Sequence, residues 1–435
     1  LVELLSPAGN FEKLKIAIEY GADALYGGVS HFSLRTRSGK EFTYESFEEA
    51  VKYTHSKGKK IYATINGFPF NSQIKLLKSH IEKMAKIKPD AFIVSTIGVI
   101  KLCKEIAPDI DIHLSTQANV LNYIDAQVYY DMGVTRIITA REISLKDLKE
   151  IKTRIPKLEL EIFVHGSMCF AFSGRCLISS VQSGRVPNRG SCANDCRFDY
   201  EMYVENPTND KLERVKDNNI YIKSPENETF FKLEEYEEGT YILNAKDLNL
   251  VQYVDSILKE DVVDSIKIEG RTKSPYYCAI TAKTYRDAID DFYADKFEKD
   301  RYIDELNTLK NRGFSEGYLI NRPNEKLDTQ NHITALSEGT YQVVAQVLED
   351  KKHFMCKYKV YRDDEFEIVL PKNIKLDLIN NSIGEILLKE NRYFIKFHSI
   401  LTKDGKELKE VHSGNVNPIQ LPLELPAFSF LRTKI

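Results

Sequence analysis

No apolar run in this chain approaches the roughly 18 residues that a membrane-spanning helix requires, so none of its 435 residues is expected to cross a bilayer. Charge of one sign is not in excess either. The 61 Lys and Arg against 64 Asp and Glu leave a formal net charge of -3, which neither demands nor excludes a nucleic-acid partner, because a basic patch can be local. HExxH is absent, which removes a zincin helix. The opening LVELLSPAGNFEKL has no basic leader and no small-residue cleavage site, so no export signal is expected and the compartment is read as cytoplasm.

What is present describes an ordinary globular protein, with 42% hydrophobic and 29% charged residues. The length fits about three domains, or one large barrel with a smaller companion. Short branched apolar runs, each followed by turn chemistry and then helical periodicity, predict parallel βα units. The candidate strands are Glu3–Leu5, Ala24–Tyr26, Lys60–Ile65, Ala91–Val94, Asp111–Leu114, Arg136–Ile138, Leu160–Val164 and Ser265–Ile268. Helices are expected at Phe11–Tyr20, Phe47–Ser56, Ile74–Ala85, Ile97–Ile106 and Pro275–Asp291, the last with Cys278 in the core. Eight strands predict an α/β fold, a TIM-like (β/α)8 barrel, with a doubly wound open sheet as the rival. About a hundred residues separate Val164 from Ser265, too many for a βα loop, so an insertion over about 165–243 is expected. Alternating runs after Gly339 (TYQVVAQVLE, HFMCKYKV, EFEIVL, EILLKE, YFIKFHSI) predict a separate C-terminal antiparallel β-barrel or sandwich. The domains are therefore expected at 1–335 and 336–435. A nucleic-acid contact on the second rests on fold analogy alone.

Ligands in a barrel bind at the C-terminal strand ends. Those positions offer Tyr26, Asn66, Gln117, Asn119, Arg141, Glu142, His165 and the Glu269-Gly270-Arg271 turn. Cysteine is scarce, at seven residues, and four of them gather as Cys169, Cys176, Cys192 and Cys196 in the pattern C-x6-C-x15-C-x3-C. In a cytosolic chain such a set points to metal rather than disulfides. Four thiolates suit a 4Fe-4S cluster or tetrahedral zinc. Only Cys192 and Cys196 approach a zinc knuckle spacing, which favours the cluster. A thiol-protease dyad of His165 and Cys169 is a third reading, although neighbouring thiols would compete for oxidation and metal.

ELLSPAGNFEKLKIAIEYGADALYGG, HGSMCFAFSGRCLISS with PNRGSCANDCR, and SIKIEGRTKSPYYC together resemble peptidase family U32, the collagenase-like proteases. The resemblance covers essentially the whole chain. Within the family it is to members that modify RNA, and it implies oxygen-independent hydroxylation of the tRNA wobble uridine to 5-hydroxyuridine. It further implies dependence on prephenate or a related small carboxylate, and a 4Fe-4S cluster. Ribosomal RNA hydroxylation and U32-type proteolysis are the alternatives. By position, Cys169, Cys176, Cys192 and Cys196 match the cluster cysteines, and Lys267, Glu269 and Arg271 match the KIEGR motif. On this reading Arg141 and Arg271 pair with carboxylates, while Glu142 and Glu269 move protons. The alternative for each charge is an internal ion pair across the barrel top. No residue pattern identifies an electron donor.

Overall fold

The computed structural model describes residues 1–29, 32–34, 41–198, 203–206, 211–214, 220–223, 230–233, 244–321, 329, 337–371 and 374–435. Two compact units divide the chain without following its order. The first comprises Leu1–Phe11, Ala24–Thr272 and Asn311–Glu338, and the second Glu12–Asp23, Lys273–Lys310 and Gly339–Ile435.

The first unit is built on eight parallel strands: β1 (Glu3–Pro7), β2 (Ala24–Gly27), β3 (Lys60–Ile65), β4 (Ala91–Val94), β5 (Asp111–Leu114), β6 (Arg136–Ile138), β7 (Glu159–Ser167) and β8 (Ser265–Ile268). Each pairs with the next in order, and β8 pairs with both β7 and β1, which closes the barrel. Strands such as Ala91-Phe92-Ile93-Val94 are buried along their whole length, as expected of a parallel sheet covered on both faces. The intervening helices start where the sequence supplies caps. The helix Tyr44–Ser56 opens on a Thr43/Ser46 capping box, and Leu145–Arg154 opens on Ser144, whose hydroxyl accepts the Asp147 N–H. The barrel expectation therefore holds, and the open-sheet rival does not.

After β7 the chain enters the insertion. Its polar tracts NPTND, KDNN and SPENET lie largely outside the described residues. It returns as a short strand, Asp247–Asn249, antiparallel to the end of β7. Phe314–Ser315 then adds to that strand in parallel.

The second unit contains a seven-stranded sheet with antiparallel pairings throughout. Its order is Gly384–Lys389, Arg392–Phe397, Glu365–Val369, Phe430–Lys434, Tyr341–Val347, His353–Cys356 and Ile419–Gln420. Five of these strands fall on the alternating runs read from sequence. Phe354, Phe366, Ile386, Ile395, Phe397 and Leu431 belong to its core. The same unit holds residues 12–23 and the helices Pro275–Tyr293 and Lys299–Asn307. The Tyr20 hydroxyl, for example, donates to the carbonyls of Val369 and Phe428. Cys278 is fully buried in the long helix, as its apolar neighbours require.

Candidate functional site

A cavity of about 160 Å³ lies in the first unit at the C-terminal ends of the barrel strands. One lining residue, Lys267, belongs to a buried charge network. Glu161, fully buried on β7, accepts from Lys267 Nζ at 2.8 Å and from Arg136 Nη1 at 3.2 Å. Arg136 also donates to Glu3 at 2.6 Å and to Glu159 at 2.7 Å. Charges this deep are tolerated because each is paired. Burial pulls the Lys267 ammonium below the ordinary lysine pKa, against the raising effect of Glu161. The ammonium also sits 4.3 Å from the Tyr26 ring centroid.

The other KIEGR side chains, Glu269 and Arg271, line the cavity as well. The Tyr26 hydroxyl donates to Glu269 Oε2 at 3.1 Å and to the Ile268 carbonyl at 2.9 Å. Arg271 is 5% exposed, and its Nη1 donates to Ser33 at 2.6 Å, Thr64 at 3.1 Å and Glu41 at 3.2 Å. The internal ion pair weighed for Arg271 is therefore present, although the residue still lines the cavity. Arg141 differs. Its guanidinium stacks 4.1 Å from the Phe163 centroid and has no carboxylate partner among the described residues.

The third wall is the cysteine segment, and all four thiols line the same cavity. Cys176 and Cys196 are half-buried, and burial raises both thiols above the ordinary cysteine pKa, with the other three thiols adding to the Cys196 shift. Cys192 Sγ accepts the Asn194 N–H at 3.4 Å. The loop between the first two cysteines is fastened to the strand ends. The Ser173 N–H donates to Glu142 Oε1 at 3.0 Å, and the Ser173 hydroxyl accepts the Arg141 N–H at 3.3 Å. Gly174, at φ +75°, runs so close to the Gln117 carbonyl that a Cβ would collide with it. The donor set fits a cluster carrying one thiolate at each corner. Among the described residues no three His, Cys, Asp or Glu side chains converge as a single-ion site would require.

Of the residues read from sequence, Tyr26, Asn66, Gln117, Arg141, Lys267, Glu269, Arg271 and the four cysteines meet at the cavity. Three do not line it. Glu142 ties the cysteine loop, and its Oε2 is buried without a hydrogen-bond partner. Asn119 is the left-handed cap, φ 59°, of the turn Thr116–Ala118. His165 packs against Phe314 with ring centroids 5.5 Å apart. The β7–β8 register slips between Lys267 and Ile268, so His165 falls out of phase with Glu161 and Phe163. Sequence reading missed Glu161, Arg136, Thr64, Phe163 and Ser173. A signal existed for the first two, since a charge inside a branched apolar strand is rarely buried without a partner.

A family model described as peptidase family U32 matches residues 9–329. The chain is similar to "tRNA hydroxylation protein P" of Helicobacter pylori (strain ATCC 700392 / 26695), at 58% identity over 100% of this chain and 99% of that one. It is also similar to the protein of the same name in Escherichia coli (strain K12), at 37% identity over 88% and 90% of the two chains. A more distant relative is the "23S rRNA 5-hydroxycytidine C2501 synthase" of Escherichia coli (strain K12), at 29% identity over 75% of this chain and 50% of that one.

Proposed function

This chain belongs to peptidase family U32, and on that premise we propose that it is an RNA-hydroxylating enzyme of the cytoplasm. Its substrate is the tRNA wobble uridine and its product 5-hydroxyuridine. The observation that carries the reading is the meeting of all four cysteines with Lys267, Glu269, Arg271 and Arg141, which has no carboxylate partner among the described residues, around one cavity. The names of the relatives at 58% and 37% identity support RNA hydroxylation over proteolysis. So does the lack of an HExxH zincin motif in the sequence.

Replacing C5–H of uridine by C5–OH is a two-electron oxidation that releases the C5 proton. It therefore needs a redox group, an oxygen-bearing co-substrate and a base in one place. Cys169, Cys176, Cys192 and Cys196 would hold a 4Fe-4S cluster, which when bound supplies the one-electron chemistry. Arg141 binds one carboxylate of a prephenate-like co-substrate, with its planar fork kept in place by the Phe163 ring. Glu269, oriented by the Tyr26 hydroxyl, is the carboxylate placed to take the proton. Lys267, held by Glu161, keeps its side of the cavity polar and fixed.

Nucleoside mass spectrometry of tRNA from cells lacking the gene tests this reading. Wild type restores 5-hydroxyuridine derivatives and Cys176→Ala does not. Derivatives at normal level without the gene would reject the tRNA assignment.

A further inference from the structure

The cysteine segment carries apolar rings that the barrel does not cover. Phe170 and Phe172 line the cavity rim yet are 49% and 53% exposed. Beside them Asn188, also on the cavity, accepts the Phe68 N–H at 3.0 Å. Two residues beyond Phe68, the exposed Phe70 ring lies 4.3 Å under the Arg189 guanidinium. Half-exposed rings beside a catalytic cavity cost solubility without adding to a core, so they call for a partner.

Charge says which partner. Residues 167–198 contain Arg175, Arg185, Arg189 and Arg197 and a single acid, Asp195. That acid is buried and accepts the Ser183 hydroxyl at 3.3 Å, so the accessible face is basic. None of the four arginines is in an ion pair among the described residues. On a chain with a net charge of -3, unpaired arginines interleaved with aromatic rings are a local surface of the kind that binds single-stranded nucleic acid. The arginines follow the backbone phosphates, and the rings stack on bases pushed out of the helix.

We propose that this face of the cysteine segment receives a single-stranded RNA loop. Phe170 and Phe172 stack on the bases flanking the one that enters the cavity, and Arg175 and Arg185 contact the flanking phosphates. This rests on the RNA-hydroxylase reading and names the surface that reading lacks. It places recognition on the insertion, where fold analogy had pointed to the C-terminal β domain.

The test is binding of the full-length, cluster-loaded protein to a 17-nucleotide RNA hairpin with a seven-nucleotide loop, against a blunt RNA duplex of equal length. The hairpin binds more tightly than the duplex. Phe170→Ala/Phe172→Ala weakens hairpin binding by about tenfold or more, whereas Phe172→Tyr stays within about threefold of wild type. Arg175→Ala/Arg185→Ala flattens the dependence of log affinity on log salt by about 1.4. Circular dichroism and iron content are unchanged in all three, because the replaced side chains are exposed or half-exposed. Equal affinity for hairpin and duplex, or an unchanged hairpin affinity in the phenylalanine double variant, overturns the proposal. Either result concerns binding alone, so the nucleoside assay in the deletion strain still decides the hydroxylase reading separately.

Discussion

The second unit buries Arg432 to 1% exposure and closes its guanidinium with Glu305 at 2.6 Å, Glu367 at 2.6 Å and the Tyr276 hydroxyl at 2.9 Å. The first unit leaves Arg141 on a ring at the wall of a cavity, with no carboxylate among the described residues. Both are arginines beside aromatic rings, but their surroundings assign them opposite tasks. A guanidinium whose two terminal nitrogens are both engaged by buried acids of its own fold, and whose Nε faces no open space, serves the scaffold. One held in place by stacking keeps its hydrogen bonds for something else. Arg271 lies between the two: it reaches the cavity, yet Ser33, Thr64 and Glu41 already engage it. Burial and charge together do not mark a functional residue; uncommitted donors facing open space do.

Substitutions can break this contrast. The largest expected effect is on stability. Arg432→Met strips Glu305 of its cation and leaves Glu367 with Arg392 alone, and costs about 3–5 kcal/mol in denaturant unfolding, with hydroxylation per folded molecule unchanged. A wild-type unfolding midpoint would show that the network is dispensable. Gly174→Ala comes next. Forcing a side chain into a left-handed residue against the Gln117 carbonyl costs about 1–3 kcal/mol locally, and it lowers the iron content of anaerobically purified protein because the loop between Cys169 and Cys176 must move. Full iron occupancy in that variant would separate the loop from cluster retention. Arg141→Ala changes stability by about 1 kcal/mol or less, the worth of an exposed cation–π contact, yet reduces wobble hydroxylation about tenfold or more.

The smallest effect is in acid. Burial alone would raise the Glu305 carboxyl, but the Arg432 charge and hydrogen bonds more than reverse this, so its folded pKa lies below the ordinary glutamate value. A depressed carboxyl contributes stability that is complete above its unfolded pKa, about 4.3, and is lost as pH falls through the lower folded pKa. Glu305→Gln therefore shows a shallower loss of stability between about pH 5 and pH 3 than wild type. Equal acid slopes would remove Glu305 from the linkage.

Much of the barrel was legible in the residues. All eight strands were placed from branched apolar runs such as Ala91–Val94, and the helix Ile97–Ile106 was read with the ends it has. Local periodicity carries that information, since each run must bury itself whatever its neighbours are. The strand-end polar groups and the cysteines were likewise visible, because position along a βα unit fixes which end of the barrel they occupy. Partnership was not visible. Nothing near Arg271 in the sequence announces Ser33 or Glu41, some 230 residues away, and nothing near Glu142 announces Ser173. His165 looked like a cavity residue by its place at a strand end, and only the register slip beside Ile268 takes it elsewhere. The grouping of residues 12–23 and 273–310 with the C-terminal sheet also escaped a reading in chain order, because it depends on contacts such as Tyr20 to Phe428.

The most direct measurement is the level of 5-hydroxyuridine derivatives in tRNA, normalised to soluble protein, from cells lacking the gene and carrying wild type, Arg141→Ala or Arg432→Met. The Arg141 variant accumulates like wild type and leaves the wobble uridine largely unmodified, while the Arg432 variant accumulates poorly but modifies normally for the protein that remains. Normal modification by the Arg141 variant would contradict the account, because the uncommitted guanidinium at the cavity would then have no part in the reaction.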